Sequence, residues 1–110
     1  MKTYIFKEGR NNYHCVNLAD ILYIKAEKGR TIIICTTMEI KSPLHFKDVL
    51  NILGVNLFQC HRSYAVNIDK ITKFNTDSIY LSKHIINLGT KYKNELFDKM
   101  LINQNSVTSI

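Results

Sequence analysis

Phe58-Gln59-Cys60-His61-Arg62-Ser63-Tyr64-Ala65-Val66-Asn67 is the stretch on which the fold turns. Read with the two-residue period of a strand, Phe58 and Cys60 share one face while Gln59 and His61 share the other, so a half-buried strand ends at His61 and Arg62. Arg62-Ser63 supplies a turn, because a serine hydroxyl can bond nearby backbone, and Tyr64 and Val66 alternating with Ala65 and Asn67 make a second short strand. Arg62 is therefore expected at an exposed corner. Asn67, at the end of its strand, is expected to cap the turn that follows.

Upstream, Tyr4-Ile5-Phe6 and Tyr13 to Val16 flank the turn-forming run Glu8-Gly9-Arg10-Asn11-Asn12, which predicts an opening hairpin. Leu18 to Ile21 reads as a brief helical turn. Leu22 to Ala26 and Thr31 to Cys35 form a second hairpin, with Gly29 able to take positive φ in the loop Glu27-Lys28-Gly29-Arg30. Met38 to Lys41 adds a short extended piece. Ser42-Pro43 suits an N-cap and first helical position and Gly54 a left-handed C-terminal cap, so one packed helix is expected over about 43–53. Its stripe is Phe46, Val49, Leu50 and Leu53, with Lys47, Asp48 and Asn51 toward water. Downstream, Asp69 to Phe74, Ser78 to Leu81 and His84 to Leu88 read as strands, and Tyr92, Leu96, Phe97, Met100 and Leu101 mark a short C-terminal helix from Lys91 to Leu101. Closely spaced strands with one good helix give a mainly β domain. It is expected over 1–102, followed by a polar, frayed tail over 103–110.

The central decapeptide resembles the signature of the LytTR-type DNA-binding domain, the effector module of many bacterial response regulators, in which a phenylalanine leads into His-Arg-Ser-Tyr-x-Val-Asn. The resemblance extends through Ile21-Leu22-Tyr23-Ile24, Ile79-Tyr80-Leu81 and Gly89-Thr90-Lys91-Tyr92, and covers about Ile5 to Leu101. It implies an elongated stack of short, mostly antiparallel β-sheets, and sequence-specific binding of double-stranded DNA in bacterial transcription regulation. In the family the contacting side chains come from a loop between two early strands, from the residue after the motif histidine and from the segment past the last strand. Carried over, these are Arg30, Arg62 and Lys91 as contacts to bases, with His61, Lys28, Lys83, Thr90 and Lys93 toward the DNA backbone. The resemblance also implies repeated half-sites occupied by two copies on one face of the duplex. Gln59 stands where arginine is common, Lys25 where glutamate is usual, and Gly89-Thr90 where a serine-arginine pair is frequent; these departures bear on individual contacts rather than on the fold. No receiver domain is read in this stretch, so no phosphorylatable aspartate or input signal is assigned.

Composition agrees with a polyanion as partner. The 110 residues suit one domain, and 45% hydrophobic residues allow a modest core. Fifteen Lys and Arg against nine Asp and Glu give a net charge of +6, an excess that favours nucleic acid or an acidic membrane surface. No apolar run has the length of a membrane span and no signal-type segment follows Met1-Lys2-Thr3, so a cytoplasmic protein without membrane insertion is expected.

The basic residues also have a local logic. An arginine fork matches the O6 and N7 acceptors of guanine, and loops along one edge of a β domain could reach two successive major grooves. Lys91 and Lys93 open a predicted helix, where the macrodipole disfavours cations and free N–H groups suit a DNA phosphate. Lys28, Lys70, Lys73 and Lys83 lie in turns or at strand ends as further phosphate contacts. The bland reading of each is a solvated surface cation. His61 has two readings, a contact to the DNA backbone and a hydrogen bond to a neighbouring loop, and the sequence does not separate them.

Three cysteines without paired spacing indicate neither a disulfide framework nor a zinc site. Cys15 and Cys35 read as small buried hydrophobes. His61 and Arg62 beside Cys60 would favour a redox-sensitive thiolate, whereas its inward face favours an inert thiol, and the latter is the stronger argument. Catalysis is not expected: adjacent Cys60-His61 and His14-Cys15 point to opposite faces, His45 and His84 add no metal spacing, and no phosphate-binding glycine loop is present. No cofactor, metal or small-molecule substrate is therefore assigned. Two binding alternatives remain: a single-strand or RNA module, which would expose aromatics on a sheet face, and a protein-interaction or anti-regulator module, which would expose an apolar patch.

Overall fold

Continuous apolar runs decide the architecture, because a strand with no polar side must be covered on both faces. Ile21-Leu22-Tyr23-Ile24 and Ile32-Ile33-Ile34-Cys35 are such runs, and all eight residues are buried. In the computed structural model, which describes residues 2–105, they lie in β3 (Ile21–Glu27) and β4 (Arg30–Cys35), the middle of a five-stranded sheet. β5 (Glu39–Ser42) flanks β4, while β7 (Tyr64–Asn67) and β6 (Leu57–His61) follow on the other side of β3, giving the order β5-β4-β3-β7-β6. Every pairing among the described strands is antiparallel.

The two faces of this sheet carry separate cores. On one, Ile21, Ile24, Ile33, Cys35, Ile40, Leu57 and Ala65 pack against Phe6 and Val16 of the first hairpin, β1 (Thr3–Glu8) with β2 (Asn12–Asn17), and against Val49 and Leu53 of α1 (Phe46–Leu53). On the other, Tyr23, Ile32, Ile34, Phe58, Cys60 and Val66 pack against Ile79, Leu81 and Ile86 of a three-stranded sheet and against Leu96 of α2. That sheet has the order β10-β9-β8, from β8 (Lys73–Phe74), β9 (Ser78–Leu81) and β10 (His84–Asn87), and α2 spans Lys93–Asn105. Three sheets stacked in this way make an elongated body of 52 × 30 × 24 Å.

Several boundaries differ from the sequence reading, each for a local reason. The helix begins at Phe46 rather than Pro43, because Ser42 completes β5 and its hydroxyl accepts from the Leu44 amide at 3.2 Å instead of capping a helix. It ends at Leu53 as expected, but Gly54, at φ 67° and ψ −145°, lies outside the left-handed helical region and opens a 3-10 turn over Gly54–Asn56. The strand expected over Asp69 to Phe74 shrinks to Lys73–Phe74, because the Asn67 side chain accepts from the Asp69 amide and starts a 3-10 turn over Ile68–Lys70. The C-terminal helix opens with a 3-10 turn at Thr90–Tyr92, and α2 then runs past the expected boundary at 102 to Asn105. Of the tail expected over 103–110, residues 106–110 lie outside the described residues. Cys15 is exposed rather than buried, since Phe6 and Val16 set the phase of the hairpin and leave Ile5, Tyr13 and Cys15 outward.

Candidate nucleic-acid interface

A two-residue loop between antiparallel strands needs backbone that twists with the strands, which means positive φ at both loop positions of a type I′ turn. Lys28 and Gly29 have φ of 50° and 81°, so Glu27-Lys28-Gly29-Arg30 closes the β3–β4 hairpin tightly and leaves Lys28 and Arg30 exposed at its tip. The turn Arg62-Ser63 closes β6 onto β7 and leaves Arg62 exposed. Because β3 pairs antiparallel with β7, Lys25 opposite Tyr64, the two turns emerge at the same end of the central sheet. The Ala26 amide donates to the Ser63 carbonyl at 2.9 Å and ties them together.

The third tip reaches this end through a β-bulge. The pairing of β6 with β7 slips between Gln59 and His61, which takes Cys60 out of the ladder. Its carbonyl accepts instead from the Gly89 amide at 2.8 Å, and this docks Gly89-Thr90-Lys91 beside the end of β6. A Cβ on Gly89 would stand 3.3 Å from the Tyr92 ring, which would have to give by a few tenths of an ångström, and 3.5 Å from the Cys60 carbonyl, an ordinary contact. Arg30, Arg62 and Lys91 are thus brought to one end of the central sheet.

The same bulge corrects the two-residue reading of His61. It sets His61 opposite Tyr64, with ring centroids 5.4 Å apart, on the Cys60 face rather than the far one. His61 Nδ1 accepts from the Ser63 amide at 3.1 Å, so the histidine braces the Arg62 turn and its Nε2 stays available to donate. Tyr64 leads to Tyr23, 6.2 Å away, and Tyr23 to His84, 5.3 Å away edge-on. This row of rings seats the β9–β10 tip, with exposed Lys83 next to His84, on the same side of the sheet. Thr90 is exposed and Lys93 half-buried at the start of α2.

Charge follows this geometry. The segments 25–30, 61–63, 82–84 and 89–93 carry seven of the fifteen Lys and Arg and one of the nine Asp and Glu, so eight of each sign remain elsewhere and the entire excess of +6 lies here. The one acid is Glu27, whose carboxylate lies 3.8 Å from both Lys25 Nζ and Arg30 Nη2. Such exposed pairs are weak and exchange readily. Among the described residues neither Arg62 nor Lys91 has an acidic partner; Lys91 Nζ lies 5.5 Å from the Tyr92 ring centre. Two lysines expected near DNA fall outside the group: Lys70 lies past the opposite end of β7, and Lys73 covers the Tyr80 ring at 4.8 Å on the outer sheet. The sequence reading did not single out Glu27 as a tether of Arg30, although a carboxylate at i−3 across a tight turn is a legible signal.

Cys60 is sealed from solvent, its Sγ lies 3.7 Å from the Tyr64 carbonyl, and burial pushes its thiol up to about 12. That is the opposite of the electropositive, accessible setting that makes a cysteine reactive. Cys60 lines neither of two clefts among the described residues: one is lined by Lys2, Leu18, Ala19, Asn67, Asp69 and Lys70, the other by Val55, Leu57, Phe58, Gln59, Tyr92, Glu95 and Lys99. No group of three metal-ligating side chains is present among the described residues, and no helix there is long and apolar enough to cross a membrane.

Comparison with known proteins gives the same architecture. The family model of the LytTr DNA-binding domain matches residues 11–103. Among solved structures, the LytTr DNA-binding domain of a Bacillus cereus response regulator superposes with a TM-score of 0.73 at 15% identity, covering 92% of this chain and 97% of that one. At that identity the likeness is one of fold. No curated protein matches the chain.

Proposed function

The chain belongs to the LytTr DNA-binding domain family, which makes it a DNA-binding module of transcription regulation, and on that premise we propose that it reads double-stranded DNA sequence-specifically through the major groove. Arg30, Arg62 and Lys91 are the base-reading side chains, and Lys28, His61, Lys83, Thr90 and Lys93 hold the backbone. The observation that carries this reading is the concentration of the whole net charge on the segments at one end of the central sheet and on the β9–β10 tip that the row of rings joins to them. With neighbouring strands about 4.8 Å apart, the two hairpin turns stand roughly 10 Å from each other, which suits a groove about 12 Å wide. Specificity then comes from the arginine forks, and register from the phosphate contacts.

A duplex fits this surface better than single strands do. Tyr23 is buried and Tyr64 half-buried, and the exposed tyrosine or phenylalanine ring among the described residues, Tyr13, lies on the β1–β2 hairpin rather than on the cationic end. A base-stacking platform needs several exposed rings together. Binding of two copies to repeated half-sites is part of the proposal and follows from the family. Chemistry on a bound substrate is not part of it, because the buried thiol and the histidine braced into its own turn leave no activated nucleophile at this end.

Selection of bound sites from random duplex DNA at two salt concentrations tests the proposal. A repeated motif with a spacing near one helical turn is expected, with affinity falling steeply as salt rises. Recovery of no motif, or equal retention of single-stranded competitor, would overturn it.

A further inference from the structure

Two of the three buried polar side chains among the described residues, Thr31 at 0% exposure and Ser42 at 1%, hold the same short corner. Thr31 Oγ1 donates to the Leu44 carbonyl at 2.9 Å, and the Leu44 amide donates to Ser42 Oγ at 3.2 Å. Both backbone polar groups of Leu44 are thus clamped by buried hydroxyls, and its side chain remains 38% exposed. The two buried hydroxyls need partners, and in finding them on Leu44 they fix the backbone from which this exposed apolar side chain projects.

The placement of the corner gives it a use. Ser42 pairs with Thr31, the residue after Arg30, so Pro43-Leu44-His45 emerges at the end of the sheet that carries the cationic tips. In the order β5-β4-β3-β7-β6 it stands next to the Arg30 turn, on the side away from Arg62 and Lys91. Exposed Lys41 and Lys47 flank it. We infer that Leu44 is a specificity-determining contact, an apolar side chain that meets the C5-methyl group of a thymine next to the base pair read by Arg30. The major groove presents that methyl as its one apolar feature, and a leucine on a fixed backbone can report its presence at low entropic cost. This inference rests on the duplex-binding reading above and adds a residue that carries no charge to it.

The test uses the full chain and the selected duplex, with each thymine replaced in turn by deoxyuridine, which lacks only the methyl. Wild type should lose about fourfold in affinity at one position per half-site, the effect of one buried methyl group. Leu44→Asn, similar in size and without an apolar tip, should bind the methylated and unmethylated sites alike at that position, and Leu44→Met should restore the discrimination. An unchanged thermal melt for both variants separates contact from folding. The Leu44 assignment is overturned if the two proteins give the same deoxyuridine profile, or if Leu44→Asn weakens every site equally. Failure to select any duplex motif overturns the regulator reading instead, and the Leu44 contact with it.

Discussion

The Gly89 amide donates to the Cys60 carbonyl at 2.8 Å, and Cys60 has that carbonyl free because a bulge removes it from the β6–β7 ladder. One irregular residue therefore fixes the Lys91 segment to the strand that ends in Arg62. Gly89→Val should crowd Tyr92, whose ring would lie 3.3 Å from the new Cβ, and cost about 1–3 kcal/mol of stability. Binding should fall further than the population of folded protein does. Urea titration alongside DNA titration checks it; an unchanged unfolding midpoint with full affinity would remove the coupling.

Arg62→Ala should cost about 1–3 kcal/mol and relax preference at a single base pair, as loss of a bidentate base contact does. Binding-site selection with the variant reads this directly. A loss of equal size on every sequence would make Arg62 a phosphate contact instead. Lys83→Ala, by comparison, should lower the slope of log affinity against log salt by roughly one unit while leaving the motif intact.

Glu27→Gln should strengthen binding. Its carboxylate is the one acid on the four basic segments and lies 3.8 Å from both Lys25 and Arg30, so its removal frees two cations at once. An exposed pair of this kind corresponds to roughly a two- to fivefold gain in affinity, larger at low salt. Weaker binding by Glu27→Gln would show that the pair orients Arg30 rather than restrains it.

The three thiols should divide by burial. Cys15 is exposed and should alkylate in the native protein, whereas Cys60 and Cys35 should react only on unfolding. Burial pushes Cys60 up to about 12 and Cys35 to about 11, from an ordinary value of 9.0. The native state thus keeps protons that the unfolded chain releases above pH 9, so this stability is complete below pH 9 and is lost as pH rises toward 12. Cys60→Ala should flatten part of that alkaline decline in thermal melts. Rapid native labelling of two thiols would contradict the buried placement.

Asn67→Ala should destabilise by about 2–4 kcal/mol without altering base preference. Its side chain donates to the Leu18 and Ile21 carbonyls at 3.2 and 2.9 Å and accepts from the Asp69 amide at 3.1 Å, so truncation leaves backbone groups unpaired in a buried site. Denaturant unfolding measures the cost; a shift below 0.5 kcal/mol would mean that solvent takes its place.

The strands and the packed helix were legible because their patterns are local: the runs at 21–24 and 32–35, the stripe of Phe46, Val49, Leu50 and Leu53, and the motif through Asn67. What escaped depends on partners distant in sequence. Ser42 looked like a helix cap until β4 claimed it as a strand end, and Cys15 looked buried until Val16 fixed the phase of its strand. The bulge at Cys60 is set by Gly89, 29 residues downstream, so the side taken by His61 could not follow from a two-residue period. Arg30, Arg62 and Lys91 were named from the family motif, whereas their gathering at one end needs the β3–β7 pairing.

Segregated charge has a consequence before any contact forms. With the excess gathered on one group of tips and the remainder balanced in number, the charge of the molecule is lopsided, and the field of a polyanion should exert a torque on it during diffusion. Most collisions with DNA should therefore begin tip-first, so that the search over orientations is shortened even on sequences the protein does not prefer.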